Sequence, residues 1–137
     1  MYPEEICTPM RLDLTQEGFQ EMRTEEEVDA ILGAKTGTVL VMINSVCGCA
    51  AGNARPAVKM AAKHTKVPTK LTTAFAGQDK AAVAKVRDYC LPYPPSSPSI
   101  ALFKNGELVH FIERHHIEGR PAQMIAENLT QAFDEHC

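Results

Sequence analysis

The sequence predicts an α/β chain: a mixed central sheet built from a βαβ unit and then a ββα unit, flanked by helices, with a helical extension at its N-terminus. Three observations predict it. The uninterrupted apolar run Val39-Leu40-Val41-Met42-Ile43 has the length and composition of a strand buried on both faces. It alternates with helical stretches and a second strand, Leu71 to Phe75, an order that calls for parallel pairing with right-handed crossovers. Asn105-Gly106 then joins two strand-like runs, Ser99 to Lys104 and Glu107 to Ile112, as the dipeptide best suited to a type I′ hairpin and antiparallel pairing.

Taken in order, residues 1–37 read as an extension attached to a core of 38–137, together a single domain. Glu4 to Glu17 is weakly helical, with Pro9 and Gly18 breaking the pattern. Thr24 and Glu27 fit a capping box, and Val28, Ile31 and Leu32 follow at helical spacing up to a stop at Gly33. A turn at Lys35-Thr36-Gly37-Thr38 leads into the first core strand. Ala50 to His64 then reads as one alanine-rich helix, its C-terminal end marked by Lys63, His64 and Lys66. Pro56 lies inside it and should bend it by removing a backbone hydrogen bond. After the second strand, Asp79 is the expected N-cap of a helix carrying Ala81, Val83, Ala84, Val86 and Tyr89. Leu91 to Pro98, rich in proline and serine, is an ordered loop. A last helix, Pro121 to Glu135, presents Met124, Ile125, Leu129, Ala132 and Phe133 as an apolar stripe.

Composition excludes several function classes. At 137 residues, 45% hydrophobic and 23% charged, the chain has ordinary globular usage and room for a real core. A formal charge of -3 offers no basic field for a nucleic acid, and no run of about 18 apolar residues spans a bilayer, so neither partner is expected. The N-terminus carries Glu4 and Glu5 where a secretory signal carries basic residues, so a cytoplasmic location is expected. Five cysteines (Cys7, Cys47, Cys49, Cys90, Cys137) are too few and too unevenly spread for a disulfide scaffold. In a reducing compartment the question becomes which thiol reacts.

Position selects Cys47-Gly48-Cys49, between a buried strand and a helix start. A thiol at the first turn of a helix faces unpaired backbone N–H groups and the positive end of the helix dipole, which stabilise its thiolate. Gly48 is expected to permit the backbone bend between the two cysteines. A Cys-x-Cys disulfide closes a small, stiff ring, so the oxidised bond is expected to be labile. Two other readings stay open: a pair of inert buried thiols, or a metal or cluster site completed by His64, Cys90 or a second subunit. Four-ligand zinc needs a second ligand pair, and none follows, so no metal is assigned.

Around the dithiol, Asn44 and Ser45 either hydrogen-bond the thiolates or close the strand end. Arg55 either stabilises a nearby anion or occupies an exposed helix face. His110, His115 and His116 read as strand-end and loop histidines, with no partner at general-base spacing. Cys90 reads as buried, and Cys137, at the terminus, as mobile.

The combination of this architecture with a dithiol at the first strand-to-helix junction resembles the thioredoxin fold. Ser97-Pro98-Ser99-Ile100-Ala101-Leu102-Phe103-Lys104-Asn105-Gly106-Glu107 is similar to the thioredoxin segment in which a cis-proline faces the active-site cysteines, so Pro98 is expected to be cis. A narrower resemblance rests on Asn44-Ser45-Val46-Cys47-Gly48-Cys49-Ala50-Ala51-Gly52-Asn53-Ala54-Arg55-Pro56-Ala57, Phe75-Ala76-Gly77-Gln78-Asp79-Lys80, Pro95-Ser96-Ser97-Pro98-Ser99, His110-Phe111-Ile112, Ile117-Glu118-Gly119 and the ending Ala132-Phe133-Asp134-Glu135-His136-Cys137. From roughly Thr8 to the C-terminus these resemble the bacilliredoxins, bacterial thioredoxin-like proteins with a Cys-Gly-Cys site.

The resemblance implies a thiol–disulfide oxidoreductase that reduces mixed disulfides between bacillithiol and protein cysteines, with weak disulfide isomerase or reductase activity beside it. Cys47 is then the nucleophile and Cys49, or free bacillithiol, resolves. Gly48, Pro98, Ser97, Asn44 and Arg55 take supporting places. Bacillithiol is the co-substrate, bacillithiolated proteins are the partners, and no bound cofactor is implied. The alternative is a thioredoxin-fold module that senses redox state or holds a metal or cluster without turnover.

Overall fold

Five strands form one mixed sheet: β1 (Gln20–Glu21), β2 (Thr38–Asn44), β3 (Lys70–Phe75), β4 (Ser99–Lys104) and β5 (Glu107–Ile112), in the order β1-β3-β2-β4-β5. Helices α1 (Glu4–Thr15), α2 (Glu25–Leu32), α3 (Arg55–Ala61), α4 (Lys80–Tyr89) and α5 (Ala122–His136) surround it. The coordinates are a computed structural model describing residues 1–137. β2 pairs parallel to β3 and antiparallel to β4, and β4 pairs antiparallel to β5, as the crossover and hairpin readings require.

All seven residues of β2 are buried, because both sheet faces are covered. Alternation along the strands divides the core in two. Leu40, Met42, Ile100 and Leu102 pack with Leu14, Val58, Leu129 and Phe133, under α1, α3 and α5. Val39, Val41, Ile43 and Phe103 pack with Ile31, Leu32, Val83 and Val86, under α2 and α4. The hairpin closes as predicted: Asn105 (φ 53°) and Gly106 (φ 85°) are both left-handed, the signature of type I′. The capping box at Thr24 and Glu27 forms as well.

Four local expectations are corrected. First, Pro9 does not break the N-terminal helix, which runs through it to Thr15. Burial of Cys7, Arg11 and Leu14 on one face, and the ion pairs of Arg11 with Glu4, Glu21 and Asp79, offset the missing hydrogen bond. The segment also carries β1, whose two residues are too few to show alternation. Second, Asp79 stands at the N-cap position of α4 as expected, but its side chain makes no capping hydrogen bond. Its carboxylate instead receives Arg11 Nη1 and Nη2 at 2.8 and 3.2 Å, while that guanidinium lies 5.0 Å above the Phe75 ring.

Third, the helix expected over Ala50 to His64 is not uniform. Ala50–Ala54 forms a π-turn, α3 begins only at Arg55, and it ends at Ala61. Pro56 has no N–H, and in α geometry its ring collides with the carbonyl four residues back. Widening the preceding turn, so that Arg55 N–H donates to the Ala50 carbonyl, relieves that collision. Fourth, Met124 is exposed, and the buried stripe of α5 is Ile125, Ala126, Leu129, Ala132 and Phe133.

Candidate active site

β2 delivers the chain to the dithiol. After Asn44, Ser45 and Val46 turn outward, and the helical backbone begins at Gly48. The Cys47 carbonyl accepts from the N–H groups of Ala50 (3.1 Å) and Ala51 (3.2 Å), so Cys47 stands where an N-cap residue stands. Its Sγ accepts a hydrogen bond from Ser45 Oγ at 3.1 Å, and its own N–H donates back to that oxygen at 3.2 Å. Cys49 Sγ lies 2.8 Å from Cys47 Sγ, both cysteines are unbonded, and both are half-buried.

The two thiols are driven apart in acidity. Partial burial disfavours the Cys47 thiolate, but donation from the Cys49 thiol, the Ser45 hydroxyl and the backbone N–H groups of Ala50 and Cys49 outweighs it, so its pKa is lowered. Burial, hydrogen bonding to Cys47 and the Cys47 charge raise the pKa of Cys49, with Arg114 pulling it down and Glu118 pushing it up. Of the two close thiols, Cys47 is therefore the one that ionises more readily, with Cys49 as its donor.

Beneath this pair lies a buried arginine, not the exposed one that an ordinary helix face would hold. Arg55 is 5% exposed, and its Nη1 donates to Asn44 Oδ1 and to the Ser45 carbonyl, both at 2.9 Å. Its Nε faces Asp13 Oδ2 at 3.3 Å, a charge contact without an aligned hydrogen bond. Burial lowers the Arg55 pKa, against the raising effects of Asp13 and the Cys47 charge. Arginine stays protonated at neutral pH regardless. Asn44 touches neither sulfur: its amide donates to the Met10 carbonyl at 3.2 Å and its oxygen receives Ser45 N–H at 2.9 Å, closing the strand end. Of the two residues left open by the sequence, Ser45 contacts the thiol and Asn44 holds the corner.

Gly48 does not serve the purpose expected of it. Its backbone is helical rather than left-handed, and a Cβ there meets nothing within 4 Å.

Opposite the dithiol, the Ser97–Pro98 peptide bond is cis, as expected, and Leu91–Pro92 is a second cis bond that sequence reasoning missed. Ser99 pairs with Ile43, so Ser97 and Pro98 continue alongside the Asn44–Ser45 corner. The Ser97 carbonyl accepts from Arg114 Nη1 at 3.2 Å, and Ser96 Oγ accepts from Arg114 N–H at 2.7 Å. Arg114 lies near enough to favour ionised Cys49, yet no motif in the sequence singled it out. Its only signal was a position two residues beyond the hairpin's second strand.

The remaining candidates are not brought to the dithiol. His110 bonds Asn128, His116 accepts from Glu113 N–H, and His64 bonds Asp134. No group of three or more His, Cys, Asp or Glu side chains is arranged to hold a metal ion. Cys90 is 2% exposed, and burial pushes its thiol up to about 11 against the pull of Arg87. Cys7 is fully buried. Cys137 is packed against the core and capped to the Phe133 carbonyl at 2.8 Å, correcting the expectation of a mobile end.

Known proteins bear directly on this arrangement. Residues 2–137 match the family described as Disulphide isomerase. The sequence is 58% identical over 135 residues to a bacilliredoxin of Cytophaga hutchinsonii, covering 98% of this chain and 99% of that protein. The chain belongs to the bacilliredoxin family. A further bacilliredoxin, from Halalkalibacterium halodurans, is 53% identical over 136 residues, covering 99% of this chain and 94% of that one. Among solved structures, Fasciola hepatica thioredoxin superposes with a TM-score of 0.61 at 16% identity, covering 87% of this chain and 100% of its own. A Malassezia sympodialis thioredoxin gives 0.58 at 14% identity, covering 87% and 90%. At that identity the likeness establishes the thioredoxin fold. Bacilliredoxin kinship together with this fold makes the protein a thiol–disulfide oxidoreductase.

Proposed function

We propose that the protein reduces mixed disulfides between bacillithiol and protein cysteines in the cytoplasm, with Cys47 as nucleophile and Cys49 as resolving thiol. The observation that carries this reading is the dithiol geometry at the helix start: Cys47 Sγ receives the Ser45 hydroxyl at 3.1 Å and lies 2.8 Å from Cys49 Sγ, an arrangement that favours the anion on Cys47. Kinship with proteins named bacilliredoxins supports the choice of small thiol.

The Cys47 thiolate attacks the bacillithiol sulfur of the mixed disulfide, the old S–S bond breaks, and the client leaves as a thiolate. Bacillithiol is then joined to Cys47 and no net oxidation has occurred. Loss of negative charge on Cys47 also removes the charge and the acceptor that held the Cys49 proton in place. Cys49 now ionises more readily and attacks Cys47 Sγ, releasing bacillithiol as the Cys47–Cys49 disulfide forms. Free bacillithiol attacking the same intermediate is the second exit. Weak disulfide reductase or isomerase activity uses the same two sulfurs on protein disulfides.

The test is to incubate a bacillithiolated client with wild type, Cys47→Ala and Cys49→Ala. Wild type is expected to free the client thiol, Cys47→Ala to leave it modified, and Cys49→Ala to accumulate a bacillithiol adduct on Cys47, visible by mass spectrometry. A client left modified by wild type overturns the reading and makes the protein a non-catalytic redox-sensing or metal-holding module.

A further inference from the structure

Beside the dithiol lies a cleft of about 410 Å³ whose polar lining is supplied by Ser96, Ser97, Glu113, Arg114, His115 and Glu118. Pro95 is the one apolar side chain that contributes to it. The cis-Pro98 loop that forms one wall runs along the end of β2, and Arg114 on the opposite wall lies within charge range of both sulfurs, so the cleft is within reach of a small thiol joined to Cys47. The strongest fixed charge there is Arg114. Its backbone N–H is held by Ser96 Oγ at 2.7 Å, its Nη1 by the Ser97 carbonyl at 3.2 Å, and its Nε by Glu118. Nη2 has no protein partner, and the side chain is 47% exposed. The guanidinium is thus anchored on one edge and open on the other, in the planar form that suits a carboxylate.

We propose that Arg114 is a specificity-determining residue, and that the cleft it commands receives the carboxylate-bearing body of a low-molecular-weight thiol during exchange at Cys47. The inference rests on the reading of the protein as a mixed-disulfide reductase. Bacillithiol, whose malyl group carries carboxylates, belongs to the class. Uncharged and cationic thiols of similar size lack the group that Nη2 is placed to receive. Glu118 tempers the site: its carboxylate neutralises part of the Arg114 charge, so its removal strengthens the preference.

The experiment uses one client protein with a single exposed cysteine, converted to mixed disulfides with mercaptosuccinate (anionic), mercaptoethanol (neutral), cysteamine (cationic) and bacillithiol. The readout is the anionic-to-neutral ratio of kcat/KM for client release. Any effect of Arg114 on the acidity of Cys47 or Cys49 acts on every substrate and cancels in the ratio, as does the intrinsic reactivity of each disulfide when variants are compared. Arg114→Gln is expected to lower the ratio about threefold to fivefold, the scale of a half-exposed ion pair, and to slow bacillithiol release in parallel with mercaptosuccinate release. Arg114→Lys retains most of the preference, Glu118→Gln increases it, and added salt shrinks it in wild type. A ratio unchanged by Arg114→Gln overturns the proposal while leaving the reductase reading intact. Failure of wild type to release any of the four thiols overturns both.

Discussion

Replacing Ser45 by alanine removes the one hydroxyl donor to the Cys47 thiolate, and with it the acceptor of the Cys47 N–H. The hydroxyl lies 3.1 Å from the sulfur and donates to it. A hydrogen bond to a charged group is worth about 1.5–3 kcal/mol, and solvent at this half-buried position reduces that to about 1 kcal/mol. At about 1.4 kcal/mol per factor of ten, the thiolate fraction falls about fivefold at pH values below the Cys47 pKa of both proteins. The thiolate that remains is more basic and more nucleophilic, with a Brønsted coefficient of about 0.4–0.5, so about half of the logarithmic loss is recovered. The alkylation rate of Cys47 by iodoacetamide is therefore expected to fall about twofold on the acid side of the titration and to exceed wild type by about twofold at alkaline pH, where both proteins are ionised. The two pH–rate profiles cross. Coincident profiles refute the assignment and leave the thiolate to the backbone amides alone. The same hydroxyl accepts the Cys47 N–H at 3.2 Å, so a small loss of stability, about 1 kcal/mol, accompanies the change and is read from urea unfolding.

Two further outcomes concern the scaffold. Arg11→Met strips the bidentate guanidinium from an Asp79 carboxylate that is only 7% exposed, leaving it only the longer 3.4 Å contact with half-exposed Arg23; urea denaturation is expected to show a loss of about 2–4 kcal/mol, and a loss below about 1 kcal/mol contradicts the role given to this cluster. Cys90, whose thiol burial pushes up to about 11, favours folding below the ordinary thiol pKa of about 8.5, where both states are protonated. Above that value the unfolded chain ionises first, so stability drains away between about 8.5 and 11, by up to about 3 kcal/mol. Cys90→Ala flattens that stretch of the stability–pH curve, and an equally steep curve in the variant refutes the attribution.

The parts of the fold that the sequence made legible are those with local causes. β4, β5 and their Asn105-Gly106 turn fall on the predicted residues because alternation and turn chemistry both act within a few positions. The capping box at Thr24 is equally local. The failures share a different origin. Asp79 has the composition of an N-cap, but a guanidinium 68 residues earlier in the chain takes its carboxylate. Pro9 reads as a breaker until Arg11 and Leu14 bury the face it belongs to. At the site, Cys47 and Cys49 were legible from the strand-to-helix junction alone. Arg55 was legible only as one of two readings and Arg114 not at all, since an arginine's burial or direction depends on partners that only folding supplies: Asp13 and Asn44 for one, Ser96, Ser97 and Glu118 for the other.

Side chains around the dithiol explain how a one-residue spacing between cysteines is made to work. With a single residue between them, both sulfurs share the same helix end, and the backbone amides alone distinguish them weakly. The asymmetry comes from side chains. Ser45, fixed through its carbonyl by buried Arg55, favours charge on Cys47, while Glu118 opposes charge on Cys49 and partly offsets Arg114. The π-turn at Ala50–Ala54 adjoins this region because Pro56 requires it, and it sets the register in which Arg55 points back under the corner. A substitution that restores an uninterrupted α-helix, such as Pro56→Ala, therefore acts on Cys47 through Arg55 rather than through the helix dipole, whose end stays in place.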